Sequence, residues 1–317
     1  MISKSIKLCL AGDGWGALAA LKSLCLCFKN IAIVTSDIDM KRIAVAYGLE
    51  LKDRIIDVDA ELYICAGYKP IIPMDFLLSR RLINVHYSLL PKYRGMHSTV
   101  WAILNGESEL GLTVHEINEG IDDGPIIDQY VISYHDQNSC EIMEMCNDYI
   151  SKNLALIVSN YLNGKIKPVK QDFSHASWVC KRNYEDCLVD FDWNIAFLRR
   201  FFKALVAPYP LPRIKYKNTD YELLHVDLIE QDYYMYYFGL RSEDWWNERL
   251  QLIKGGQLNM CEMESVVEIA VLPPIIADAI LEGLTEDCIP LLERFGYPED
   301  GLNVDREFMN LDIDLRD

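Results

Sequence analysis

Along its first ninety residues the chain alternates short apolar runs with longer stretches of mixed polarity. Ile6–Ala11, Ile31–Thr35, Leu62–Ala66 and Leu82–His86 are four such runs. A strand buried on both faces reads as a continuous apolar run, so these predict strands of a parallel sheet. Between them, Ala17–Phe28 and Lys41–Tyr47 have helical length, and Gly48 stops the second. Strands alternating with helices predict an α/β fold, a Rossmann-like doubly wound, mostly parallel sheet. Ser98 is placed to cap a short helix through Asn105, with Gly106 as its stop. Leu112–Ile117 and Pro125–Ile132 alternate as strands do. Asn138 and Glu141 have capping-box spacing. Behind them Ile142, Met145, Tyr149, Ile150, Leu154, Ile157 and Tyr161 recur on one helical face until Gly164.

After Gly164 the pattern changes. Lys165–Trp178 reads as a loop or linker, and Asn194–Val206 as a helix halted by the Pro208–Pro212 run. Arg213–Lys217 and Tyr221–Leu228 flank Asn218-Thr219-Asp220, the polar connection of a hairpin. The expectation is a first domain over 1–178 and a smaller, partly β domain over 179–317 with an acidic tail. Pro273–Glu282 reads as a helix with Pro at its start. Tyr233–Phe238 and Trp245-Trp246 form either a dimer face or further core, and a homodimer is expected.

Composition changes the picture in three ways. Half of the 317 residues are hydrophobic, which allows a large core. The net charge of −17 disfavours a polyanionic partner, so no nucleic acid is expected. The ten cysteines include no C-x-x-C pair and no zinc spacing, so the reading is buried thiols in a reducing cytosol and no metal. No apolar run reaches the ~18–20 residues of a membrane span, and the expected location is cytoplasmic with no membrane contact.

Two features invite chemistry. Gly12-x-Gly14-x-Gly16 follows a strand, and Asp37 lies where an acidic ribose ligand would sit, which keeps an NAD(P)-dependent oxidoreductase open. The spacing is not G-x-G-x-x-G, however, and a tight turn needing small residues explains it equally. The second feature is Asn84-Val85-His86 at the end of a strand, two residues apart and therefore on one face. A Gly-rich loop further on carries Asp122 and Asp123, either of which is placed to orient the imidazole of His86.

The stretch Asn84-Val85-His86-Tyr87-Ser88-Leu89-Leu90-Pro91-Lys92-Tyr93-Arg94-Gly95 resembles the signature of the 10-formyltetrahydrofolate-dependent formyltransferases. Asp122-Asp123-Gly124-Pro125-Ile126-Ile127-Asp128-Gln129 resembles their second signature. Asn105-Gly106-Glu107 and Gly111–His115 are also similar to the family. The resemblance implies catalysis by Asn84, His86 and Asp122, and it selects Asp122 over Asp123. It implies N10-formyltetrahydrofolate as cosubstrate, held near Ala66, Gly67, Ile71, Gly120 and Asp122. The chemistry suits these groups. The attacking amine must be neutral, which calls for a base near pH 7. The tetrahedral oxyanion calls for a donor such as Asn84, and Asp122 stabilises the imidazolium.

Three acceptors compete within the family: methionyl-tRNA, glycinamide ribonucleotide and nucleotide-linked amino sugars. The acidic chain disfavours tRNA. So does the short lead-in to Asn84, which leaves little room for the tRNA enzymes' insertion. Tyr93–Ile103 looks most like the bacterial amino-sugar enzymes that decorate O-antigens. A dTDP-linked amino-dideoxysugar is thus the first expectation, with methionyl-tRNA formyltransferase as the alternative. A non-catalytic binding module on the same fold is a third class. Lys92, Tyr93 and Arg94 are candidates for the substrate, the two cations for its pyrophosphate or as ordinary surface charge. Tyr209 and Trp193 are candidates for base stacking or core.

Overall fold

The computed structural model describes residues 6–190, 193–216, 219–225, 235–239 and 250–253. The chain divides into two compact units, Met1–Lys181 and Arg182–Asp317.

In the first unit the strands are β1 (Lys7–Gly12), β2 (Asn30–Val34), β3 (Glu50–Lys52), β4 (Leu62–Ala66), β5 (Leu82–His86), β6 (Arg94–Gly95), β7 (Glu109–Glu116), β8 (Ile126–Ser133) and β9 (Trp178–Val179). The helices are α1 (Gly14–Leu24), α2 (Ile38–Ala46), α3 (Met74–Ser79), α4 (Ser98–Asn105) and α5 (Ser139–Leu162). Seven strands form one sheet in the order β3-β2-β1-β4-β5-β7-β8. Pairing is parallel from β3 to β5 and antiparallel at β5–β7 and β7–β8. This is the mostly parallel Rossmann-like sheet that the apolar runs predict. The four central runs are buried along nearly their whole length, as strands covered on both faces must be.

Alternation within those strands sends Cys9, Ala11, Ala32, Val34, Tyr63 and Cys65 to one face, where they pack with Ile55, Val58 and Leu77. On α5 the capping box forms as its sequence predicts, with the Asn138 side chain accepting from the Glu141 amide at 3.0 Å and Glu141 accepting from the Asn138 amide at 2.6 Å. The buried stripe runs through Ile142, Cys146, Ile150, Leu154, Ile157 and Tyr161. Met145, expected on that face, is exposed, because steps of four from Ile142 land on Cys146.

Three expectations change. Ser98 does not cap α4. His97 holds the cap position with φ +59°, and the Ser98 and Thr99 hydroxyls instead donate to the Tyr87 carbonyl at 2.9 and 3.0 Å, which fixes the loop leaving β5. Lys165–Trp178 is not a free linker but a strap lying on the first unit. Val169 exchanges backbone hydrogen bonds with Ile126 at 2.7 and 2.8 Å, and β9 pairs with β6. The described cysteines are free thiols, but Cys25, Cys27 and Cys180 are exposed rather than buried.

The second unit contains α6 (Ile195–Ala204), capped by Asn194, and an antiparallel sheet of β10 (Arg213–Tyr216), β11 (Thr219–His225), β12 (Met235–Gly239) and β13 (Leu250–Ile253). β10 and β11 are the expected hairpin arms, although Thr219 and Asp220 belong to the second strand rather than the turn. Trp193, half-buried, packs edge-on against Phe197 with ring centroids 4.9 Å apart and tilted against Phe201 at 5.0 Å. Trp245-Trp246, Pro273–Glu282 and the acidic tail lie outside the described residues. Among the described residues no helix is long and apolar enough to cross a membrane.

Candidate active site

β5 ends at the carboxyl edge of the sheet, where open α/β sheets bind ligands. Asn84 and His86 leave the same face of β5. Across the strand pair, Asn84 stands opposite His115 and His86 opposite Thr113. Cross-strand partners share a face, so β7 brings His115 into the same cluster. The loop after β7 then returns Asp122 over them in a left-handed conformation, with φ +48°.

Asp122 sits at the centre. Its Oδ2 lies 3.5 Å from His86 Nδ1 and accepts the Gly95 amide at 2.9 Å. Its Oδ1 lies 3.5 Å from His115 Nε2 and 3.4 Å from Asn84 Nδ2. A carbonyl oxygen can only accept, which fixes both imidazole tautomers. His86 Nε2–H donates to the Tyr93 carbonyl at 2.9 Å, and His115 Nδ1–H donates to the Glu116 carbonyl at 2.7 Å. The nitrogens facing Asp122 are therefore the unprotonated ones when the rings are neutral. His115 Nε2 accepts from Asn84 Nδ2 at 3.3 Å. A proton arriving at His86 lands on Nδ1, against the carboxylate.

The electrostatics follow burial and partners. His86 is 7% exposed, and burial pushes its pKa below the ordinary 6.5 although the Asp122 charge and the Tyr93 carbonyl pull it up. Asp122 is pushed up by burial, but a hydrogen bond from the protonated His115 ring, the charge of protonated His86 and the Gly95 N–H outweigh that and hold it at about 2. The cluster thus pairs a neutral imidazole with a firmly ionised carboxylate near neutral pH.

A cleft of about 180 Å³ opens onto this cluster, lined among others by Cys65, Tyr68, Pro70, Ile72, Ile117 and Gly120 with Asn84, His115 and Asp122. Gly120 and Asp122 are where the folate candidates were placed. Ala66 is buried inside β4, and Gly67 has φ +70° beside the Asp13 carbonyl. Ile71 is 95% exposed, while its neighbours Pro70 and Ile72 line the cleft. His115, given no role from sequence, belongs to the site. Its signal was the Thr113–His115 alternation on the strand facing Asn84 and His86.

The substrate candidates separate. Lys92 pairs with Glu107 at 3.0 Å, and the Tyr93 hydroxyl donates to Glu107 at 2.7 Å. Arg94 is 1% exposed and turns inward to Gln171, so it is not a surface cation. Tyr209 lies in the second unit, after α6, with its amide donating to the Val206 carbonyl at 3.0 Å.

The glycine loop is a packing turn. A Cβ on Gly12 would stand 1.8 Å from the Ala66 carbonyl oxygen, and one on Gly16 would stand 2.2 Å from the Tyr87 hydroxyl. Asp13 accepts from Thr35 and Ser36, and Asp37 caps α2 while accepting the Gly14 amide at 3.0 Å. Two carboxylates at this turn oppose a pyrophosphate, which argues against the nicotinamide reading. Among the described residues no cluster of His, Cys, Asp or Glu is arranged to hold a metal ion.

Residues 30–152 match the formyl transferase family. The methionyl-tRNA formyltransferase of Campylobacter jejuni subsp. doylei is 32% identical over 179 residues, which are 56% of this chain and 56% of that protein. The chain thus spans little more than half the length of that curated relative. Among solved structures, an N-formyltransferase from Helicobacter canadensis, in complex with folinic acid and dTDP-3-aminofucose, aligns with a TM-score of 0.61 at 19% identity, covering 78% of this chain and 98% of that one. A 4-N formyltransferase from Francisella tularensis aligns with a TM-score of 0.60 at 18% identity, covering 70% and 98%. At these identities the likeness is one of fold. The matched segment, residues 30–152, runs from β2 through β8 and contains both signatures together with Asn84, His86, His115 and Asp122.

Proposed function

We propose that this chain is an N-formyltransferase that moves the formyl group of N10-formyltetrahydrofolate onto the amine of a nucleotide-linked amino-dideoxysugar. A dTDP sugar is the favoured acceptor, in the synthesis of O-antigen or a related polysaccharide. The observation carrying the reading is the cluster of Asn84, His86 and His115 around one ionised carboxylate at the mouth of a cleft. Its lining suits one end of a folate: apolar Pro70, Ile72 and Ile117 beside polar Asn118 and Asp122.

The residues divide the work as follows. The neutral amine attacks the formyl carbon, and its carbonyl π electrons move to oxygen. The Asn84 amide, held by two long hydrogen bonds, re-aims an N–H at that oxyanion. The proton leaving the attacking nitrogen is held by His86 Nδ1 against Asp122, with His115 on the other carboxylate oxygen. Collapse breaks the bond to N10, which leaves with the proton that His86 had taken from the attacking amine, so the imidazole returns neutral. The side chains involved, Asn84, His86 and His115, all lie within 3.5 Å of Asp122.

The dTDP-sugar assignment draws on the Helicobacter structure and on the acidic charge of the chain. Methionyl-tRNA is the second reading, favoured by the sequence relative in Campylobacter. The test is an assay with N10-formyltetrahydrofolate and a panel of nucleotide-linked 3-amino and 4-amino sugars, scored by the mass gain of one formyl group. Formylation of one sugar, reduced ~100-fold or more in His86→Ala, is the expected result. Formylation of charged initiator tRNA and of no sugar would install the second reading.

A further inference from the structure

We propose that Gln171, itself held by Arg94, is a positioning residue that sets the Asp122 carboxylate against His86 and His115. This rests on the reading of the cluster given above and assigns a task to the strap that sequence reading takes for a linker.

The argument is one of forced hydrogen-bond polarity. Arg94 Nε and Nη2 donate to one atom, Gln171 Oε1, at 3.2 and 2.7 Å. A guanidinium has no acceptor, so the amide cannot flip, and Nε2 must face the other way. There its two protons meet two carbonyls, of Asp122 at 2.8 Å and of Gly124 at 2.7 Å. These carbonyls bracket the turn in which Asp122 adopts φ +48°. Outside glycine that conformation is uncommon, and even an aspartate needs local hydrogen bonds to favour it. The Gln171 amide supplies that constraint on the carbonyl side, and the Gly95 amide supplies it on the carboxylate side, at 2.9 Å from Oδ2. Gly95 and Arg94 are adjacent, so one two-residue strand grips both ends of the same residue.

The anchor is built for rigidity. Gln171 is 6% exposed and Arg94 is 1% exposed. The Arg94 guanidinium lies over Phe173 at 4.5 Å and over Trp178 at 5.2 Å from the ring centroids, both on the strap. The strap is pinned on either side, by Val169 to Ile126 and by Ser177, whose hydroxyl accepts the Tyr93 amide at 2.9 Å and whose carbonyl accepts the Arg94 amide at 2.8 Å. Gln171, Arg94, Phe173 and Trp178 do not line the cleft, whereas Asp122 does, so Gln171 acts through Asp122 and not on substrate.

The deciding variant is Gln171→Glu in the full chain. Its carboxylate keeps, as an ion pair, the two hydrogen bonds to Arg94, so the strap stays anchored. It presents an acceptor oxygen, not an amide N–H donor, to the Asp122 and Gly124 carbonyls, so the turn is released. Expected results are a thermal midpoint close to wild type, kcat lower by ~10–100-fold and an amino-sugar KM within about threefold. The second readout needs no turnover. The titratable groups facing His86 are Asp122 and His115, and Asp122 is the one that raises its pKa, so loss of the carboxylate from its place lowers the His86 pKa further, read by NMR titration of labelled imidazoles. The double variant Arg94→Met with Gln171→Met replaces both partners by apolar side chains and gives the same two changes if Gln171→Glu folds poorly. A Gln171→Glu protein with kcat within threefold of wild type, or with an unmoved His86 titration, overturns the proposal. A wild-type chain that formylates no acceptor overturns the functional reading instead, and the His86 titration still decides this one.

Discussion

Asp122 serves four neighbours with two oxygens, and its ionisation is what lets them differ. As a carboxylate it obliges the Asn84 amide to present nitrogen, and it gives protonated His86 a counter-charge in a buried place. Asp122→Asn removes that counter-charge without changing shape. The His86 pKa, already lowered by burial, should then fall further, because the Asp122 charge is the first influence opposing burial. The pH profile of kcat/KM in the wild type is expected to be level at pH 7 and to fall on the acid side below an apparent pKa under 6.5. In Asp122→Asn the limb should move to lower pH while the plateau drops ~100-fold or more. A limb that stays in place would remove Asp122 from the control of His86. The same depressed pKa bears on stability. A carboxyl lowered from 3.8 to about 2 contributes stability above its unfolded value and loses it as pH falls through that interval. The loss is about 2 kcal/mol. Acid titration of the folded chain should therefore show a step in that range that Asp122→Asn lacks.

At the scale of elements, α5 tests how local sequence sets local structure. Its capping box satisfies two backbone donors with two side chains, so Asn138→Ala should cost ~1 kcal/mol, read as a lower urea midpoint with an unchanged slope. An unchanged midpoint would mean that packing of the buried stripe alone fixes where α5 begins. The helix was legible because cap, stripe and terminal glycine all agree in sequence. The central strands were legible for a related reason: burial on both faces leaves a continuous apolar run. The meeting of Asn84, His86 and Asp122 was legible because the first two share a strand face and Asp122 falls within a second signature. His115 was not, because its place depends on which residue of β7 stands opposite Asn84, and register is a property of two strands rather than one. Arg94 was misjudged for a similar reason. A basic residue in a loop reads as surface charge until the acceptor that buries it is known, and Gln171 lies 77 positions away. The strap had no periodicity to announce it, since its hydrogen bonds are made singly to distant backbone.

For the whole molecule the open matter is the acceptor, and net charge makes it measurable. A chain with 48 acidic and 31 basic residues repels a polyanion unless it gathers a basic patch. Binding a tRNA through six or more phosphates would make affinity fall ~1000-fold between 50 and 200 mM salt, because each neutralised phosphate releases counterion. A nucleoside diphosphate sugar offers only a pyrophosphate, and its capture should lose less than ~10-fold over the same range. The comparison needs one enzyme preparation, one amino sugar and a salt series. A shallow dependence of kcat/KM on salt, together with no competition from excess unfractionated tRNA at the lowest salt, is the outcome expected of a sugar enzyme. Inhibition by tRNA that disappears as salt rises would instead reveal a phosphate-binding track, and the acceptor would then be sought among charged tRNAs. The proposed chemistry of the Asp122 cluster is indifferent to this choice, because a primary amine is the acceptor group in both readings. Acceptor and chemistry therefore fail separately, and a negative result on sugars leaves the assignment of Asn84, His86 and Asp122 standing.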